Sequence, residues 1–163
     1  MADIINGTWI KDGKAVDTIY QSGVKVYGRN LLSNTSPEMS TVTASSWGSS
    51  PAGVATGVYG AGTYQVSVYV DNTIDANTNL NLNLYTAVNG HIGNLSGKSI
   101  QPGSKGTISY TITLLEGQSI RSAWAGFTNV SNVAHSYSYK QIMITKYTGD
   151  DTPYSQAPED ILN

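Results

Sequence analysis

Gly62-Thr63-Tyr64-Gln65-Val66-Ser67-Val68-Tyr69-Val70-Asp71 alternates without a break. Tyr64, Val66, Val68 and Val70 fall on one side, and Gln65, Ser67, Tyr69 and Asp71 on the other. A period of two is the mark of a β-strand with one face on a core and one toward water. The polar side carries an aromatic ring among small hydrogen-bonding groups, the mixture that holds sugar rings. The pattern returns in Leu80-Asn81-Leu82-Asn83-Leu84-Tyr85 and in Ile108-Ser109-Tyr110-Thr111-Ile112-Thr113-Leu114. Together these stretches predict the inner faces of two packed sheets: Val66, Val68 and Val70, then Leu80, Leu82 and Leu84, then Ile108, Tyr110, Ile112 and Leu114.

Further strands are expected over residues 119–128 and 136–147, with Gly, Asn and Pro between them and almost no helical periodicity. The single turn of helix that the pattern allows is Ser36-Pro37-Glu38-Met39, with Ser36 placed to cap and Pro37 at the first helical position. The expected fold is therefore all-β, a jelly-roll β-sandwich of two antiparallel sheets. Its expected divisions are 1–26, an N-terminal extended or hairpin segment marked by Asp12-Gly13; 27–150, the sandwich; and 151–163, an exit tail. Around Trp124 parity does not decide. Ile120 and Trp124 fall on one face and Arg121, Ala123, Ala125 and Phe127 on the other, so Trp124 stands open between core and site. The same holds for Ile142 and Ile144 against Tyr139, Gln141 and Met143.

Composition narrows the function. In 163 residues only 12% are charged, about half the ~25% usual for soluble domains. The net charge of -2 offers no basic stripe for nucleic acid and no polybasic patch for a membrane. Eleven Tyr against one Phe means that most rings carry a polar tip suited to a half-wet position. Cysteine is absent, which removes disulfides, Cys-ligated zinc and thiol nucleophiles. The start Met1-Ala2-Asp3-Ile4 has neither the basic residues nor the apolar run of a secretory leader, and the chain is expected to be one module of a longer protein.

Catalytic patterns are not found. His91 and His135, the two histidines, lie in no nucleophile motif, and His91 reads as a solvated residue in an Asn89-Gly90 turn. No pair of acids is recognisable as flanking a glycosidic bond. Asp71-Asn72-Thr73-Ile74-Asp75 and Asp150-Asp151 are acidic enough for a structural calcium, but neither follows a calcium-loop spacing; acids in solvated turns are the favoured reading, and no cofactor is expected. Gly57, Gly60 and Gly62 precede a strand rather than a helix and so make no phosphate loop. The chain is expected not to be an enzyme.

Binding is what remains. A sugar offers C–H faces on which a ring stacks and edge hydroxyls that paired donors and acceptors take two at a time. The ring candidates are Trp47, Tyr69, Tyr85 and Trp124; the polar candidates are Asp71, Asn83, Arg121 and Gln141. Arg121 is alternatively a salt-bridge partner for Glu116 or Asp71.

Three segments carry a resemblance to a known group. Val26-Tyr27-Gly28-Arg29-Asn30-Leu31-Leu32-Ser33-Asn34-Thr35, Gly62 through Val70, and Lys140-Gln141-Ile142-Met143-Ile144-Thr145-Lys146 with Pro153-Tyr154-Ser155-Gln156-Ala157-Pro158-Glu159-Asp160 resemble the opening strand, an early strand, and the last strand and tail of a family of phage modules. These are the accessory carbohydrate-binding modules of tail and baseplate proteins, such as enlarged distal tail proteins, in lactobacillus-type phages of Gram-positive bacteria. The chain departs from the family where Ile144-Thr145-Lys146-Tyr147 replaces its Leu-Glu-Lys-Gly. The resemblance implies a jelly roll, no catalysis, a virion location at the tail tip, and adhesion to a host cell-wall polysaccharide. Other tail subunits would be met through the parent protein, and the isolated module is expected to be a monomer. The alternative is a structural or protein-docking tail domain without a sugar site.

Overall fold

The computed structural model describes residues 2–45, 53–75, 79–86, 90–92, 98–127 and 133–162; for 2, 81–86 and 90–92 it describes the backbone alone. The chain opens with a small antiparallel meander of β1 (Ala2–Ile5), β2 (Thr8–Lys11) and β3 (Lys14–Ala15), followed by a separate hairpin of β4 (Thr18–Gln21) and β5 (Val24–Gly28). Tight turns build both. Asn6-Gly7, Asp12-Gly13 and Ser22-Gly23 each have two residues in succession at positive φ, the geometry that matches strand twist in a two-residue hairpin. Only Asp12-Gly13 stands out as such in the sequence, because Ser is a weaker signal there and Asn6 is followed by no clear alternation. Strand β5 runs through Val26, across the expected division at 26.

Among the described residues nine strands follow: β6 (Leu32–Ser33), β7 (Ser40–Ala44), β8 (Gly53–Ala55), β9 (Gly62–Asp71), β10 (Leu80–Thr86), β11 (Gly90–Ile92), β12 (Lys105–Leu114), β13 (Ile120–Phe127) and β14 (His135–Lys146). They form two antiparallel sheets. Sheet I has the order β12-β9-β14-β7, and sheet II the order β11-β10-β13-β8-β6. Early strands lie beside late ones in both: β7 pairs with β14, β8 with β13, and β9 with β14 and β12. The two sheets pack face to face as a β-sandwich.

The inner faces follow the alternation. Tyr64, Val66, Val68, Val70, Ile108, Tyr110, Ile112 and Leu114 from sheet I meet Leu80, Ala123, Ala125, Phe127 and Leu32 from sheet II in one buried cluster. Each fully buried Val, Leu, Ile or Phe contributes about 1.5–3 kcal/mol relative to exposure. Across the layer, Tyr137 packs edge-on against Phe127 at 4.9 Å and donates its hydroxyl to the Ala125 carbonyl at 2.6 Å. The phenol thus brings its own hydrogen bond into the core, and burial pushes its pKa well up.

Two β-bulges resolve what parity left open. In β14 the register jumps between Lys140 and Met143, so Gln141 and Ile142 together oppose Val68. An inserted residue reverses the alternation. Tyr137 and Tyr139 face the core before it, and Ile142 and Ile144 face the core after it, all at most 7% exposed. In β13 Thr86 opposes Ile120 while Tyr85 opposes Ser122, which leaves Arg121 as the extra residue. Ile120, Ala123, Ala125 and Phe127 are accordingly all buried, while Arg121 is exposed and Trp124 half-buried. The expectation that Ile120 and Trp124 share a face is corrected by this bulge: Ile120 joins the core and Trp124 the outer face of sheet II.

Two smaller expectations also change. Residues 36–39 form bends rather than a helical turn; Ser36 still caps, its hydroxyl accepting from the Glu38 amide at 3.0 Å. The following strand β7 pulls the chain extended before a helix can close. His91 lies in strand β11, opposite Tyr85, rather than in a turn. Among the described residues the one helical turn is the 3-10 segment Pro158–Asp160 in the tail.

Candidate functional site

Sheet I carries a hydroxyl-rich outer face that can be read row by row from its register. One row runs Thr41, Ser138, Asp71, Lys105; the next Lys140, Tyr69, Thr107; then, past the bulge, Met143, Ser67, Ser109; then Thr145, Gln65, Thr111. Cross-strand hydroxyl pairs link Thr41 with Ser138 and Thr43 with Ser136, each at 2.8 Å. These residues are where they are because β-branched and small polar side chains suit a pleated surface that faces water.

The C-terminal tail crosses the rows below the bulge. Gln65 pairs with Thr152 in both directions: its side-chain amide donates to the Thr152 carbonyl at 3.3 Å, and its oxygen accepts from the Thr152 amide at 2.9 Å. The Ser155 hydroxyl donates to the Gly28 carbonyl at 2.9 Å, and the Gln156 amide to the Asn6 carbonyl at 3.1 Å, which ties meander, hairpin and sandwich together. Gln65, Thr145 and Thr152 are buried as a result.

Beside this crossing a groove of 200 Å³ opens on sheet I between Tyr69, Ser67, Ser109, Gln141, Pro153 and Tyr154, with the Gln65–Thr152 pair also in its lining. Tyr69 is half-buried, and the Lys140 ammonium lies 5.3 Å above its ring. Gln141 occupies the bulge at φ 60, and its amide donates to the Ser36 carbonyl at 2.8 Å. Tyr154 forms the far wall; burial pushes its phenol up to about 12, and its hydroxyl donates to Thr35 Oγ1 at 3.3 Å. The lining is an aromatic surface with uncharged donors and acceptors, able to stack on a C–H face and to take hydroxyls.

The seven described candidates do not form one site. Tyr69 and Gln141 come together in this groove. Asp71 is one row away on the same strand, and its carboxylate is occupied by Thr73, accepting from the hydroxyl at 2.6 Å and the amide at 3.0 Å. The Thr73 hydroxyl holds the Asp71 carboxyl below the usual range; partial burial opposes this, and the Thr73 amide and Lys105 add to it. Asn83, Tyr85, Arg121 and Trp124 belong to sheet II, with Asn83 at the register position opposite Trp124 and Tyr85 opposite Ser122. Trp47 lies outside the described residues.

Sequence reasoning missed Ser67, Ser109 and Tyr154 as groove residues. Ser67 and Ser109 have the right parity but no distinguishing chemistry. Tyr154 sits in a segment without periodicity, and only folding brings it back over the sheet. Of the four acids weighed for calcium, Asp71 turns to Thr73, and Asp75 accepts from the Ser136 amide at 2.5 Å while its carbonyl meets His135 Nδ1 at 2.9 Å.

A larger hollow of 390 Å³ lies where the β4–β5 hairpin meets the sandwich, between Asp17, Arg29, Leu31, Tyr59 and Lys146. Size does not make it the better candidate. Arg29 pairs there with Asp17 at 3.4 Å and with Glu159 of the tail, so the charges that would address a ligand address each other. None of the seven described candidates lines it. Compared with protein-family models and with curated proteins, the chain finds a match in neither.

Proposed function

We propose that this chain is a non-catalytic carbohydrate-binding module of a phage tail protein, and that it recognises a host cell-wall polysaccharide for adhesion. The observation that carries the reading is the half-buried Tyr69 ring set among Ser67, Ser109 and Gln141 in a groove on an otherwise hydroxyl-lined sheet. A ring placed so stacks on a pyranose face while neighbouring amides and hydroxyls take its edge. The three segments that resemble phage tail modules support the virion setting. Calcium and other cofactors have no part in this reading. Affinity per site is weak in such an arrangement, and many copies on one particle give firm attachment.

The test is binding of the fluorescently tagged chain to a panel of Gram-positive cells, with Tyr69→Ala and Trp124→Ala beside the wild type and each variant's fold checked by thermal melt. Wild-type binding that purified cell-wall polysaccharide competes, and that folded Tyr69→Ala loses, supports adhesion through sheet I. Loss in Trp124→Ala instead moves the site to sheet II. No binding to any strain favours the alternative, a structural or docking domain of the tail.

A further inference from the structure

The groove does not end at Gln141. A second hollow of 70 Å³ begins there, between Asn34, Glu38, Ser40, Lys140 and Gln141. Gln141 lines both hollows. One bank is continuous as well, since Tyr154 of the first touches Thr35 of the second through their hydroxyls at 3.3 Å. Lys140 also serves both: it lines the second hollow, and its ammonium covers the Tyr69 ring in the first.

We infer that the site takes an extended saccharide of at least two consecutive rings, laid over the β14 bulge from Tyr69 to Glu38. This rests on the carbohydrate-binding reading above. Three features point to length. At 200 Å³ the Tyr69 hollow is smaller than the ~300–1,000 Å³ of ordinary small-molecule pockets, and with its neighbour it approaches the lower bound. The bulge turns one residue of β14 out of register just where the two hollows meet, so Gln141 is presented to both sides rather than to one. The second hollow differs in chemistry from the first: Glu38 brings a carboxylate acceptor beside Asn34 and Ser40, suited to hydroxyl or amino groups of a following ring.

The probe is a size-fractionated partial hydrolysate of the cell-wall polysaccharide from a strain that the wild-type chain binds, titrated by NMR against wild type, Tyr69→Ala and Glu38→Gln. Affinity is expected to rise from one ring to three. Glu38→Gln is expected to cost about tenfold on the three-ring fragment and nothing on the single ring. Tyr69→Ala is expected to weaken every length. If Tyr69→Ala weakens every length while Glu38→Gln weakens none, or if affinity is flat with length, the site holds one ring and the inference fails while carbohydrate binding stands. If wild type binds no strain, or folded Tyr69→Ala binds every fragment as wild type does, the Tyr69 site itself is wrong and the inference falls with it.

Discussion

Gln65 and Tyr69 lie four residues apart on the same face of the same strand, yet they have opposite fates. Both reach the groove, but Gln65 is 3% exposed and spends its amide on the tail backbone, whereas Tyr69 is half-buried and, among the described residues, has no tail residue bonded to it. The row at Gln65 behaves as a second, polar core. The rows from Ser67 to Tyr69 behave as a binding surface. The line between them is where Thr152 of the tail closes over Gln65, beside the β14 bulge at Gln141. Parity therefore tells which residues share a face, and the path of a remote segment tells which of them are available to a ligand.

The division can be broken most severely at Asn30. Its buried side chain accepts from the Leu32 and Ile144 amides at 3.2 and 3.1 Å and donates to the Ile142 carbonyl at 3.0 Å, so it holds the bulge against the opening strand. Asn30→Ala leaves three buried backbone groups without that partner, and a loss of about 3–5 kcal/mol is expected in urea unfolding. A loss below about 1 kcal/mol would show that the bulge stands without its clamp.

Gln65→Ala tests the covered half. It leaves the buried Thr152 amide unsatisfied, and should cost about 2 kcal/mol in stability while weakening cell binding far less than Tyr69→Ala does. Tyr69→Ala should do the reverse, abolishing binding at little cost in stability. If the two variants move stability and binding together, the halves are not distinct.

At the boundary itself, Gln141 has φ 60, a conformation that suits glycine. Gln141→Gly relieves backbone strain and is expected to raise stability by as much as about 1 kcal/mol while weakening binding. A destabilised Gln141→Gly that binds normally would mean that the side chain serves the fold instead of the site.

The smallest signal is spectroscopic. Tyr110 and Tyr154 have phenols pushed up by burial to about 12, and Tyr137 is pushed up further. Each is protonated in the fold at a pH where the unfolded chain, with pKa near 10, ionises. Their stabilising effect is complete below about pH 10 and is lost as pH rises toward 12. In a titration at 295 nm, Tyr154→Phe should remove absorbance from the late, unfolding-linked step. Removal from an early step near pH 10 would show a tail that does not stay on the sheet, and would void the covered half of the comparison.

Much of the scaffold was legible from local pattern. The strands expected over 62–71 and 106–115 match β9 and β12 to within a residue, and the core valines and isoleucines with them. Legibility failed at the bulges, because one inserted residue reverses every side chain after it and leaves no mark in composition. Arg121 and Gln141 look like ordinary members of alternating runs.

By itself, then, the sequence determined the all-β class, the long strands β9, β10, β12, β13 and β14, the inward faces of β9 and β12, and the sparse charge. Each follows from short-range periodicity and from the solvation of side chains one at a time. Only tertiary structure decided that Trp124 turns outward, that the seven described candidates divide between two sheets, and that Tyr154 walls a groove with Tyr69. Those outcomes depend on register between distant strands and on where the last ten residues return. Both are set by packing and hydrogen bonds between segments up to 150 residues apart, as between Asn6 and Gln156, and no local window contains them.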